Sequence, residues 1–271
     1  MTTHAKVKVA AVVVAGMALG GCGSSPTKPQ PSPSPASPSP VVVVPSPSPS
    51  ASSTATPTAT PAISCANDQG VAYDSSLRMP GSLTGDIDGD GQVDQVFLAL
   101  DRTAPQGCQA FLVVQTPNTL LSSPVSAWES LGGLPSPRLH SLIQLNGSGD
   151  EVVVDVLAGA STQFVSVFTV VDGRLEPMSA PGVQTAGGVT TFPYSGSVGH
   201  LDGEDCTTDG HIEIVSASPK GNKYDVHRHV YSAQGAELKP LPSFDRTTTM
   251  TFSELSRLPG FASAPFGDCR P

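Results

Sequence analysis

Nine residues, Asp86-Ile87-Asp88-Gly89-Asp90-Gly91-Gln92-Val93-Asp94, are the one stretch of this 271-residue chain whose side-chain types and spacing specify a ligand. Counted from Asp86, carboxylates stand at positions 1, 3, 5 and 9, the backbone carbonyl of Gln92 falls at position 7, and Gly91 at position 6 permits a sharp turn. Hard oxygen ligands in that order suit Ca2+, which takes 6–8 oxygens at about 2.3–2.6 Å, whereas Mg2+ demands a tighter octahedron. The expected metal ligands are therefore Asp86, Asp88, Asp90, Gln92 and Asp94, and the expected cofactor is a structural calcium ion. An acidic, solvated Asp-Gly turn is the alternative. An EF-hand would carry a bidentate Glu at position 12 before a second helix. Here position 12 is Phe97, inside the apolar run Val96–Leu100, so a strand follows the loop.

A loop of this form between two strands resembles the FG-GAP or VCBS repeat of integrin-like β-propellers, whose D-x-D-x-D-G-x-x-D loop joins two strands of a blade. The resemblance implies further copies, and two weaker echoes are present. Leu142-Ile143-Gln144-Leu145-Asn146-Gly147-Ser148-Gly149-Asp150-Glu151-Val152-Val153-Val154 keeps an Asn-Gly turn and an acidic lead into a β-branched strand. Val198-Gly199-His200-Leu201-Asp202-Gly203-Glu204 leads, past an insertion holding Cys206, into Asp209-Gly210-His211-Ile212-Glu213-Ile214-Val215. With Asp88, Asn146 and Asp202 taken as equivalent, the spacings are 58 and 56, a plausible blade length. The ligands do not survive in these echoes. Gln144 replaces the first Asp, Ser148 the third, two residues are missing before Asp150, and the third copy is interrupted. Metal is expected at the first loop alone.

The elements that must hold these loops are mostly strands. Ala110–Gln115, Glu151–Leu157, Phe164–Val171, His211–Ala217 and Tyr224–Tyr231 are rich in Val, Ile, Phe and Tyr and are bounded by turn-forming residues. Val171-Asp172-Gly173-Arg174 and Ser232-Ala233-Gln234-Gly235 read as hairpin turns. Short helical turns are expected at Val125–Leu131 and Thr251–Leu258, the second capped by Ser253. The chain reads as all-β. Three repeats and a weaker portion from about Lys220 predict a small β-propeller-like array of three to four repeats, or alternatively an open or sandwich-like stack of antiparallel sheets. A disordered linker is expected to precede it.

That linker follows a targeting segment. Lys6 and Lys8 precede an apolar run, Val9–Leu19, that closes on Leu19-Gly20-Gly21-Cys22. The run has the ~7–15 residues of a secretory signal and is too short to span a bilayer. Leu, two small residues and Cys resembles the lipobox of bacterial lipoproteins, where the Cys thiol is lipidated and the chain is cut just before it. The resemblance implies a signal peptide over 1–21, a lipidated N-terminus at Cys22, and attachment to the cell membrane on its extracytoplasmic face. From Cys22 to residue 62 the chain is almost entirely Ser, Pro, Thr and Ala, a composition that buries too little apolar surface to offset its ordering entropy. As polyproline II, at about 3.1 Å per residue, such a tether reaches roughly 120 Å. The folded part is then 63–271, a length sufficient for one domain.

Charge and cysteine usage narrow the partners. Removing residues 1–21 takes away Lys6 and Lys8 and no acid, leaving 12 basic against 23 acidic residues, a charge of −11. A basic nucleic-acid footprint is absent, so no nucleic-acid partner is expected. With Cys22 committed to lipid, Cys65, Cys108, Cys206 and Cys269 remain, an even number that reads as two disulfides in an oxidising compartment. Three connectivities are open; the pairing Cys65 with Cys108 and Cys206 with Cys269 is favoured. No CxxC is present, which argues against a zinc or thioredoxin-like role.

Catalytic signatures are missing: there is no GxSxG elbow, HExxH or phosphate-binding Gly-rich loop. His227 and His229 share a strand face, where solvation outweighs metal binding, and His140, His200 and His211 flank the echo turns. The expected function is a membrane-anchored extracytoplasmic binding or scaffold module, its partner a cell-envelope polymer or protein. A cell-envelope hydrolase, or an accessory subunit of one, is the alternative.

Overall fold

Long runs such as Val96–Leu100 and Phe111–Val114 are apolar on both sides of the pleat, the signature of strands covered on two faces. The computed structural model describes Cys65 and residues 74–145, 147–197, 199–262, 265–267 and 269, and there both faces are covered. The lipobox and most of the linker lie outside the described residues, as does Asn146. Strands β1 (Leu83–Gly85), β2 (Asp94–Leu100), β3 (Ala110–Gln115) and β4 (Leu120–Pro124) form an antiparallel meander. Val96, Leu98, Leu112 and Val114 face inward to the next sheet. Phe97, Ala99, Phe111 and Val113 face outward under Leu77 and the Cys65–Cys108 disulfide.

A short helix, α1 (Ser126–Leu131), leads to a second meander: β5 (Arg138–Ile143), β6 (Glu151–Ala158), β7 (Gln163–Val171) and β8 (Arg174–Pro177). Val152, Val154 and Phe168 pack on the first sheet, and Trp128 of α1 closes that core, its indole N–H donating to Leu134 O at 3.0 Å. Each such buried side chain contributes about 1.5–3 kcal/mol. Val153, Val165 and Val167, on the other face, pack on the third sheet.

After a small hairpin, β9 (Thr185–Ala186) with β10 (Val189–Thr190), strand β11 (Phe192–Ser197) joins the second and third sheets. Its first half pairs with β7 and its second half with β12 (His200–Cys206), and Ser195, where the partner changes, has a left-handed φ of 68°. The third sheet continues through β13 (Ile212–Lys220) and β14 (Lys223–Gln234), whose ends pair with β15 (Glu237–Pro240) and β16 (Arg246–Met250). Ile212, Tyr231 and Leu238 face the second sheet; Val215, Ala217 and Val226 are covered by α2 (Phe252–Leu255) and α3 (Pro259–Ala262) with Leu255 and Phe261. The Cys206–Cys269 disulfide and a bond from Gln144 N to Cys269 O (2.9 Å) tie the C-terminal segment to β12 and to the end of β5.

The chain is therefore all-β, in antiparallel sheets. No closed barrel or propeller is seen among the described residues. Two expectations change in detail. The stretch from Lys220 is no separate repeat, because Lys220 and Lys223 close the β13–β14 hairpin of the third sheet. The α2 cap is Thr251, in a reciprocal capping box with Glu254, and not Ser253. Among the described residues no helix is long and apolar enough to cross a membrane.

Candidate metal centre

The acidic loop joins β1 to β2. Ile87 is buried in the core between the first two sheets and pins the loop, so its neighbours Asp86 and Asp88 turn the other way. Asp94 opens β2 and is 1 % exposed; its Oδ2 accepts the amides of Ile87 (2.9 Å) and Asp88 (3.3 Å). Asp86 Oδ2 accepts the amide of Gly91 at 2.9 Å, and Asp88 Oδ1 that of Asp90 at 3.2 Å. These bonds fold the carboxylates inward. One oxygen each from Asp86, Asp88 and Asp94 lies within 4.8 Å of the others. Asp90 stands apart from that group: its two oxygens accept the Gln92 amide and side chain, each at 2.7 Å.

Two oxygens in the loop are buried with no hydrogen-bond partner, Asp86 Oδ1 and Asp94 Oδ1. Buried carboxylate oxygens are ordinarily satisfied, and an orphaned one costs about 1–3 kcal/mol or more. Burial holds the Asp88 carboxyl above its ordinary range, and the negative charges of Asp94, Asp90 and Asp86 push it the same way. Hard oxygens that converge and repel one another, two of them without donors, match what a divalent cation requires.

The second loop, between β5 and β6, is pressed against the first. Asp150 N donates to Asp86 O at 2.7 Å, and Asp86 N donates back to Asp150 Oδ2 at 3.2 Å. Contact is so close that a Cβ on Gly89 would lie 1.6 Å from Ser148 O, and one on Gly149 would lie 2.8 Å from Ile87 O. Within the second loop Leu145 N donates to Glu151 Oε2 at 2.7 Å, the bond that Ile87 makes to Asp94 in the first. Glu151, and not Asp150, thus takes the place of Asp94. Asp150, which the echo set opposite Asp94, instead lies against Asp86, and Glu151 stands one residue nearer the nine-residue spacing of the first loop.

The third echo is displaced. Asp202 and Glu204 lie inside β12, and the turn that follows spans 207 to 211, where Thr207 Oγ1 accepts the His211 amide. Among the described residues the first loop holds the one cluster of three acidic, His or Cys side chains close enough to share an ion.

Four of the described histidines have polar side-chain partners. His227 meets Thr247 Oγ1 (3.3 Å) and His229 meets Asp245 (3.1 Å), so neither is aimed at a shared ion. His200 Nε2 pairs with Asp202 at 2.8 Å. His140 Nδ1 pairs with Asp155 at 3.2 Å, and Tyr194 OH lies 2.9 Å from the same carboxylate. His140, Ser141, Thr84 and Asp150 border a groove of about 380 Å³ along β1 and β5, whose facing edges are unpaired.

No protein-family model, no curated protein and no solved structure matches this chain.

Proposed function

We propose that the chain is a membrane-anchored, extracytoplasmic binding or scaffold module, stabilised by calcium in an FG-GAP/VCBS-type loop. The observation that carries the calcium reading is the pair of buried, unpartnered oxygens on Asp86 and Asp94, beside Asp88. Asp86, Asp88 and Asp94 would hold the ion through side-chain oxygens, with Asp90 and the Gln92 carbonyl drawn in as ligands five and seven of the motif. Its chemistry there is charge neutralisation of crowded carboxylates. Each four-stranded meander is read as one repeat of a propeller-like family, packed in an open row. Leu19–Cys22 supplies the anchor, and the Pro/Ser/Thr-rich stretch 23–62 separates it from the domain. The charge of −11 after residue 21 favours a cell-envelope polymer or protein over nucleic acid as partner.

The alternative of a cell-envelope hydrolase draws on one observation, the His140–Asp155–Tyr194 group beside the β1/β5 groove. Turnover of an envelope polymer that is lost with His140→Ala would favour it.

The test of the main reading is thermal unfolding of the metal-stripped chain. Millimolar calcium should raise the midpoint and magnesium much less, by about 2.7 kcal/mol of stability at a hundredfold excess over Kd. Asp88→Ala with Asp90→Ala should abolish the shift. An unchanged curve for the parent chain would reduce the loop to an acidic turn.

A further inference from the structure

The amide of Asp86 sits where β1 has ended, so it has no ladder partner of its own. Asp150 Oδ2, from a different sheet, receives it at 3.2 Å, and the Asp150 amide returns a bond to Asp86 O at 2.7 Å. Both backbone groups of the first motif residue are therefore fixed by one residue of the β5–β6 loop. Gly89 and Gly149 allow the loops to interlock at backbone distance, and neither site has room for a side chain. Asp150 is outside the converging oxygen group.

We infer that Asp150 is a positioning residue for the calcium loop, so that cation binding to the first sheet is coupled to order in the β5–β6 loop of the second. This rests on the calcium reading above and adds its regulation. Fixing the Asp86 backbone aims its carboxylate at Asp88 and Asp94 before the ion arrives. By linkage, whatever holds Asp150 in place tightens calcium binding, and calcium in turn holds Asp150 in place. A purely electrostatic role for Asp150 makes a different prediction. As one more negative charge near the site it would act through its charge alone, whereas positioning needs its oxygen as an acceptor, which asparagine also provides.

Calcium titration of the full-length chain in detergent, against a chromophoric chelator, separates these. Asp150→Ala should raise Kd about tenfold, within the usual 5–150-fold range of coupling between sites, while Asp150→Asn should stay close to the parent. Gly149→Ala should weaken binding without altering any ligand. In the parent chain, hydrogen exchange at the Asp150 amide should slow on adding calcium, a readout that requires no variant to fold. Parent chain that binds no calcium would overturn the site itself. Parent that binds, with Asp150→Ala equally tight, Asp150→Asn as weak as Ala, or Asp150 exchange indifferent to calcium, would overturn the coupling alone.

Discussion

Glu204 lies two residues beyond Asp202 on β12, and strand alternation puts both side chains on the face turned to the second sheet. Cys206 and the cross-strand neighbour Ile214 mark that face, since both pack in the core between those sheets. Glu204 is fully buried and neither carboxylate oxygen has a hydrogen-bond partner. Burial, and secondarily the charge of Asp202, push its carboxyl well above the ordinary 4.5. Asp202 is raised by its own burial, with His200 pulling against it.

Folded chain therefore keeps protons that unfolded chain releases, so this contribution to stability is complete below about pH 4.5 and is lost as pH rises toward the folded value. Asp74, Asp101, Asp225 and Asp245 are lowered by hydrogen bonds and work in the opposite sense, but their window lies below 3.8. The expected outcome is a melting midpoint that declines between pH 5 and 8. Glu204→Gln, neutral at every pH, should flatten the decline and melt higher than the parent at pH 8. Identical slopes in the two proteins would rule Glu204 out as the cause. Each kcal/mol regained should appear as roughly 2–4 °C.

The lipobox reading is tested at Cys22. Cys22→Ser should leave unprocessed precursor or shed protein, and the chain should leave the detergent phase on phase separation. A variant that still partitions with lipid would contradict the lipobox reading.

The disulfides should matter for stability in proportion to what they close. Cys206→Ser with Cys269→Ser opens a separation of 63 residues and frees the segment whose carbonyl receives Gln144. Loss of about 2–4 kcal/mol in urea unfolding is expected. A midpoint unchanged by reduction in the parent chain would show that the bonds are dispensable.

Trp128 is the sole tryptophan and is 6 % exposed in the core between the first two sheets. Its fluorescence should report the opening of that interface. Phe168→Ala, which empties a fully buried site in the same core, should cost about 3–5 kcal/mol and shift the emission transition to lower denaturant. Emission insensitive to that variant would mean the two side chains do not share a core.

How far the sequence could be read depended on whether a signal was local. The run Ala110–Gln115 is β3 to the residue, because continuous β-branched and aromatic side chains have one regular solution when both faces are covered. The Asp86–Asp94 loop was likewise visible from spacing alone. Asp202-Gly203 misled, since Asp-Gly favours a turn, yet Gly203 is mid-strand. A Cβ there would meet Gly260 O at 2.0 Å, so the glycine serves the close approach of α3, a contact 57 residues away that no window could contain. Thr251 as cap was within reach, because Thr-x-x-Glu is itself the capping-box pattern. Asp150 was not: its role lies in a hydrogen bond to another sheet.

The Cys65–Cys108 bond closes a covalent ring, and the acidic loop lies inside it. Tension arriving from the N-terminal side at Cys65 can cross the sulfur bridge to Cys108 and run on into β3, bypassing the backbone between them. The load path of such a pull goes around residues 86–94, and the bridge acts as a mechanical shunt for the acidic loop.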